Sequence, residues 1–505
     1  MTRTWPIAMS LVLSALLAQA AEQPKTLKSG VQLLVDDYLI GESQGVERKV
    51  VQPQRFLDGP IVTGALEHQD FQPFLTVLHD ETNRTGKPFR MWYNVDVVDD
   101  PRDGEWFGKT GYLESADGIH WPGPYRRLNS IAEDGRVRFG ASVLDEGPRH
   151  PTPAERYKML YWDVGKFIGP RVAFSSDGLE WAVHNGGQPI LPKTPSDDIW
   201  TAGYDPLRQR YFLIGKQFGP HTWTNAEGEK LTLPIRRYFT SFSPDFKTWS
   251  DPEGLVYSPD EKDSGVTQWY GSAGYQVRGD LIIGFLRELR DDRSPAGVPE
   301  EAIKANNGGG ANLGANLLGE RGGSGMGYTV LTWTRDGQTW HRDRYTDKFF
   351  EPDPKVGAWD HAMAWVGSAA PVGDELYLYY AGYRWGHKYH HSVDRQFGLV
   401  KIPRDRYVAR QAGAEGGKLT TPLVTLDGES LALNVAAKEG EVRVQVTNDD
   451  GTPIAGFRFE DCQPIAADSL AAPVAWSESL AKLRGQAVRL EFSLKNASLF
   501  AFELR

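Results

Sequence analysis

Hydrophobic and polar residues alternate in short runs along most of this chain, and the runs come in sets of three. The first set is Phe74-Leu-Thr-Val-Leu78, Phe89-Arg-Met-Trp-Tyr93 and Thr110-Gly-Tyr-Leu113. The second runs from Arg138 to Leu144, Arg156 to Trp162 and Arg171 to Ser175; the third from Trp200 to Tyr204, Arg210 to Ile214 and Arg237 to Ser241. The fourth has Trp269 to Val277, Asp280 to Leu286 and Gly327 to Trp333, and the fifth His361 to Val366, Glu375 to Tyr380 and Gly398 to Ile402. A period of two in runs this short predicts β-strands with one face buried. Four sets lead into the phrase Ser/Thr-x-Asp-Gly-x-x-Trp, centred on Asp117, Asp177, Asp336 and, with Phe in place of Gly, Asp245. Asp-Gly makes a tight turn, because Gly accepts positive φ and Asp bonds its own backbone. The loose spacing of these boxes fits one four-stranded sheet per repeat, the blade of a β-propeller. The expectation is an all-β chain with a five-bladed propeller over 31–410, in which the boxes hold blades together and do no chemistry.

The flanks read differently. The stretch Val31 to Ile40 predicts a strand that closes the ring by pairing with the last blade. Ala412-Gly-Ala-Glu-Gly-Gly417 reads as a linker, and the alternating runs from Leu431 to Leu504 predict a small β-sandwich over 418–505. Between Arg287 and Met326 lies a Gly-rich insertion, read as a lid over one mouth of the ring.

Composition narrows the chemistry. A formal charge of −10 over 505 residues argues against nucleic acid or an anionic membrane as partner. Arg3, the apolar run Ile7 to Leu17 and Ala18-Gln19-Ala20 read as a signal peptide over 1–20, which implies export. The apolar run is too short to insert in a bilayer as a span. Cys462 is the single cysteine, so no intrachain disulfide forms, and it reads as a core residue. There is no phosphate loop, dinucleotide fingerprint or nucleophile elbow.

Blades with Asp boxes, a trailing sandwich, and the segments Leu34-Val-Asp-Asp-Tyr-Leu-Ile40, Glu155-Arg-Tyr-Lys-Met159 and Tyr379-Tyr-Ala-Gly-Tyr383 resemble the five-bladed propeller glycoside hydrolases. These are families 32, 43 and 117 and relatives, most of all exported bacterial family-32-like proteins. The resemblance implies a carbohydrate substrate and carboxyl groups at the ring axis, placed where the inner strands begin. It requires no cofactor and allows a calcium ion at the axis. It also implies an acid in the second blade, where Arg138-Phe139-Gly140 stands instead. Hydrolysis of a glycoside needs two carboxyls flanking the bond, one protonated and one ionised. Acids beside the inner strands are Glu67, Asp70, Asp198, Glu288 and Asp360. Asp70 or Asp360 is read as base or nucleophile and Glu288, or else Glu67, as acid. His361, Trp269, Trp359, Arg138, Arg384 and His387 are candidate substrate contacts; the run from Arg384 to His391 suits an anionic sugar, and no residues have zinc-ligand spacing. The alternative reading is a non-catalytic carbohydrate-binding propeller.

Overall fold

The computed structural model describes residues 22–63, 70–96, 108–128, 139–163, 168–194, 198, 200–299, 323–387 and 395–505. The alternating runs form five antiparallel sheets. Their inner strands are Asp70–His79, Phe139–Asp145, Trp200–Asp205, Thr267–Arg278 and Met363–Val372. The second strands are Phe89–Asp96, Tyr157–Asp163, Arg210–Thr224, Leu281–Arg290 and Glu375–Tyr383. The third strands are Gly108–Ser115, Gly169–Ser175, Lys230–Ser243, Met326–Thr334 and Arg395–Pro403. A single bridge, Gly327 to Met363, joins the fourth sheet to the fifth.

The inner strands stand around one axis. They are too far apart to share ladders, so side chains satisfy the backbone groups between them. Thr76 Oγ1 accepts from Val143 N (3.2 Å), Ser142 Oγ accepts from Ala202 N (2.9 Å) and Thr201 Oγ1 donates to Ser272 O (2.7 Å). Gln276 Nε2 donates to Ala369 O (3.3 Å), and Ser368 Oγ accepts from Val77 N (2.9 Å). The last contact returns from the fifth sheet to the first, and the ring is a β-propeller.

The boxes lie at the end of the ring where the third strands finish. In the first, Ser115 Oγ accepts from Gly118 N (2.9 Å), Asp117 Oδ1 accepts from Ile119 N and His120 N (both 2.8 Å), and Trp121 Nε1 donates to Gly118 O (3.1 Å). Gly118 has φ 74°, and a Cβ there would stand 2.6 Å from the Tyr379 hydroxyl, so only Gly fits. The box at Asp177 repeats the same bonds through Trp181. Each box also docks on the sheet before it. Trp92 Nε1 donates to Gly178 O (2.8 Å), Lys247 Nζ to Glu155 Oε1 (2.8 Å), Arg208 to Arg335 O, and Tyr379 Oη to Gly118 O (3.0 Å). The repeats are therefore rivets between sheets.

The flanks depart from expectation. Gly30–Leu33 pairs with the C-terminal strand Ala497–Leu504 and does not close the ring. The fifth sheet is completed instead by Gln54–Arg55 and Val62–Thr63, which pair with its third strand. The β-sandwich consists of two six-stranded sheets. Lys25–Lys28, Gly30–Leu33, Glu42–Gln44 and Glu47–Val50 from the N-terminal side belong to it, as does Val408–Ala412. The boundaries 31–410 and 418–505 shift accordingly, and 413–416 is a turn closed by Gly416 N to Gly413 O (3.1 Å). Burial explains the recruitment. Leu27, Leu34 and Leu39 join Val444, Leu490 and Phe502 in one core, which exposed strands could not do. Cys462 is buried in that core and its Sγ accepts from Val444 N (3.4 Å). No helix among the described residues is long and apolar enough to cross a membrane.

Candidate functional site

Two features meet on the ring axis. The first is a cavity of about 160 Å³, lined by residues of all five inner strands, among them Thr76, Ser142, Thr201, Tyr275 and Ser368. Arg287, from the second strand of the fourth sheet, is the one charged residue among the described residues of its lining. No group of three or more His, Cys, Asp or Glu among the described residues is placed to hold a metal ion.

The second feature is the mouth where the inner strands begin, opposite the boxes. Because neighbouring strands are antiparallel, the second strands end and the third strands start at this mouth. Side chains from the third, fourth and fifth sheets crowd together there. Lys216 pairs with Asp198. Arg236 Nη1 donates to Gln268 Oε1 (2.6 Å), and its guanidinium lies 4.1 Å from the centre of the Tyr270 ring. Gln268 Nε2 donates to Asp291 Oδ2. His387 packs edge-on against Tyr270, with ring centres 4.9 Å apart, and Tyr270 stacks on Trp365. Asp198 and Asp291 both act electrostatically on Arg236 and Tyr270, and Arg287 acts on Tyr238.

Three donors of this cluster have no acceptor among the described residues: the hydroxyls of Tyr238 (0% exposed) and Tyr270 (4% exposed), and Arg236 Nε. An unmatched buried donor costs about 1–3 kcal/mol; single ones also occur away from the mouth, at Trp223, Trp340 and Thr447, but here three stand together. Burial holds both phenols well above their ordinary pKa, as neutral donors. Burial also lowers the Arg287 pKa.

The expected acids fare differently. Asp198 reaches the mouth. Asp70 opens the inner strand of the first sheet, so its backbone stands at the same mouth; its side chain, like Glu67 and Arg138, lies outside the described residues. Glu288 follows Arg287 on the same strand, and successive side chains face opposite ways. It does not line the axial cavity; it is fully buried in the fourth sheet, where Thr267 Oγ1 donates to its Oε1 (3.3 Å) and Oε2 has no partner. Burial, reinforced by the charge of Asp263, pushes the Glu288 carboxyl up to about 8. Asp263 is pushed up to about 6 by burial, which outweighs its two bonds from Arg342 (3.0 and 2.7 Å). Asp360 is 1% exposed and serves ring closure: its Oδ2 accepts from Arg55 Nε (3.0 Å), Arg55 Nη2 (2.8 Å) and Tyr380 Oη (2.9 Å).

Of the expected substrate contacts, His387 stands at the mouth, and Arg384 is exposed directly after the second strand of the fifth sheet ends at Tyr383. His361 instead ties two loops, bonding Asp353 O (2.7 Å) and Ala296 O (3.2 Å). Trp359 stacks on Tyr380 inside the fifth sheet, and Trp269 is fully buried beneath the Arg342 guanidinium. The core of the insertion, 300–322, and 388–394 lie outside the described residues. Sequence reasoning missed Arg236, Tyr238, Tyr270 and Asp291. The signal for the first two was Arg236-Arg237-Tyr238, charge entering a strand that is otherwise apolar at that depth.

No protein-family profile and no curated protein matches the chain. Among solved structures it is similar to a glycoside hydrolase at 15% identity, covering 72% of this chain and 92% of that one with a TM-score of 0.42. It is similar to a glycosyl hydrolase from Bacteroides ovatus at 12% identity, covering 75% and 98% with a TM-score of 0.44. It is also similar to the GH32 β-fructofuranosidase of Bombyx mori at 12% identity, covering 87% and 93% with a TM-score of 0.36.

Proposed function

We propose that the protein binds a carbohydrate at this mouth and hydrolyses it there, as a glycoside hydrolase. The reading is carried by two carboxyl groups, Asp198 and Asp291, set around the same Arg236 and Tyr270. They come from segments that enter one inner strand and leave a second strand, so sheets fixed by the ring hold them. Glycoside hydrolysis needs two such groups on either side of the bond, about 5–5.5 Å apart for retention and about 6.5–9.5 Å for inversion. Tyr238, Tyr270 and Arg236 offer donors for which the hydroxyls and ring oxygen of a sugar are acceptors. Asp198, steadied by Lys216, and Asp291, steadied by Gln268, take the acid and base roles between them, with Asp70 the further candidate. Export through residues 1–20 belongs to the same proposal; a secreted protein whose N-terminus lies near Ala21 is the expected outcome.

The test is sugar release from a glycan panel by the protein beside Asp198→Asn and Asp291→Asn. The parent releases sugar, and each variant falls by at least about a hundredfold, the usual worth of a general acid or base. Undiminished release in both variants contradicts the assignment. Binding without release supports the second reading, a carbohydrate-binding propeller. That reading is favoured by one observation: Glu288 and Asp360 are engaged inside sheets, and among the described residues no carboxylate lines the axial cavity.

A further inference from the structure

The third sheet carries a long hairpin. Its second and third strands run 15 and 14 residues, against 7 to 10 for the other second and third strands among the described residues. Its inner strand is paired only as far as Trp200 with Gly215, and the hairpin continues from there past the mouth, through Phe218 opposite Arg236, Pro220 opposite Pro234 and Thr222 opposite Thr232, to Thr224 opposite Lys230.

One face of this hairpin is fastened. Trp223, Leu231 and Ile235 form a cluster with Val266, and His221 bonds Pro259 O (3.0 Å). The tip is held too: Ala226 N donates to Asp263 O (2.8 Å), and Glu227 accepts from Gly265 N (2.9 Å). The other face carries Phe218, Pro220, Thr222, Thr232 and Pro234. Pairing and alternation put these on the same side as Lys216 and Arg236, the two side chains of the hairpin's base that belong to the mouth. Phe218 is 36% exposed, and Pro220, Thr222 and Thr232 are exposed. Between Arg236 at its base and Lys230 at its tip, this face carries rings and hydroxyls, with Thr222 and Thr232 bonded to each other (2.9 Å); held rigid at its back and continuous with the mouth, it suits a neutral sugar chain. Pyranose carbon faces pack on Phe and Pro rings, and sugar hydroxyls bond Thr hydroxyls.

We infer that this face is a binding ledge for the neighbouring units of an extended neutral polysaccharide whose reacting unit sits in the mouth. The inference rests on the reading of the mouth as a carbohydrate site. It assigns chain-length preference to Phe218 and the two Thr, and bond cleavage to residues at the base.

The test uses Phe218→Ala and a Thr222→Val/Thr232→Val double variant, assayed on the neutral polymers mannan, arabinoxylan, inulin and galactan, each beside its matching disaccharide. The expected result is a kcat/KM on the polymer lower by about tenfold in Phe218→Ala, through KM, the equivalent of one lost aromatic contact, with hydrolysis of the disaccharide unchanged. The double Val variant moves the same way. Equal polymer and disaccharide kinetics in parent and variants overturn the ledge while leaving the mouth intact. A parent inert on every polymer and disaccharide overturns the mouth reading, and the ledge with it. Equal losses on polymer and disaccharide place Phe218 within the reacting unit's own site and also overturn the ledge.

Discussion

At the box end of the propeller the turn at Asp177 satisfies itself, and among the four boxes the spare donor is Trp340 Nε1 of the fourth sheet. Ser175 Oγ accepts from Gly178 N, Asp177 Oδ1 from Leu179 N and Glu180 N, Trp181 donates to Gly178 O, and Trp92 of the neighbouring sheet caps the same carbonyl. At the mouth, the same strands leave donors over: among the described residues the hydroxyls of Tyr238 and Tyr270 and Arg236 Nε have no acceptor. If the mouth is the carbohydrate site proposed above, its spare donors meet the sugar, while the box end serves stability.

The sharpest way to break this comparison is to attack closure. Arg55→Ala strands the buried Asp360 carboxylate and is expected to lower stability by about 3 kcal/mol or more, since removing one partner of a buried pair leaves an uncompensated charge. Chemical denaturation reads it, and activity per folded molecule stays at the parent level.

Next is the pH response of the fourth sheet. Glu288 has a folded pKa pushed up to about 8, so its contribution to stability is whole below the unfolded value and is lost as pH rises through the folded one. The slope approaches about 1.4 kcal/mol per pH unit across that window. Asp263, raised to about 6, acts with the same sign over a narrower window. Glu288→Gln removes most of the slope; melts of parent and variant at several pH values check it, and equal slopes contradict the burial account.

Smaller effects sharpen the contrast. Ser175→Ala leaves the buried Gly178 N–H unmatched and is expected to cost about 1–2 kcal/mol without touching activity. Tyr238→Phe and Tyr270→Phe delete hydroxyls that bond nothing and are expected to change stability by less than about 1 kcal/mol, in the stabilising direction. Opposite signs at the two ends are the signature of the comparison, and calorimetry of the three variants reads them.

Much of the ring was legible in the sequence, because strand period and box chemistry are local. The five inner strands fall on the predicted runs, and the boxes turn as Asp-Gly chemistry dictates. What failed was long-range. Gln54-Arg55 is too short and polar to announce a closing strand, and Arg55 reaches Asp360 across 305 positions. Val31 to Leu33 has the pattern of a strand, but pattern does not name the partner, and the sandwich offered a larger apolar core. Glu288 was one residue off: in a strand, a single step turns a side chain from the axis into the sheet. Tyr238 and Tyr270 look like core residues in sequence; what distinguishes them is a hydroxyl without an acceptor among the described residues, beside the charges of Arg236, Asp198 and Asp291.

The most direct measurement is glycan hydrolysis by a Tyr238→Phe/Tyr270→Phe double variant, run beside its melting curve. The account predicts a protein at least as stable as the parent whose kcat/KM is lower by about tenfold or more, the worth of lost hydrogen bonds to a bound sugar. A variant of equal stability and undiminished activity would mean that the mouth's spare donors meet no substrate, and the assignment of the site would fail.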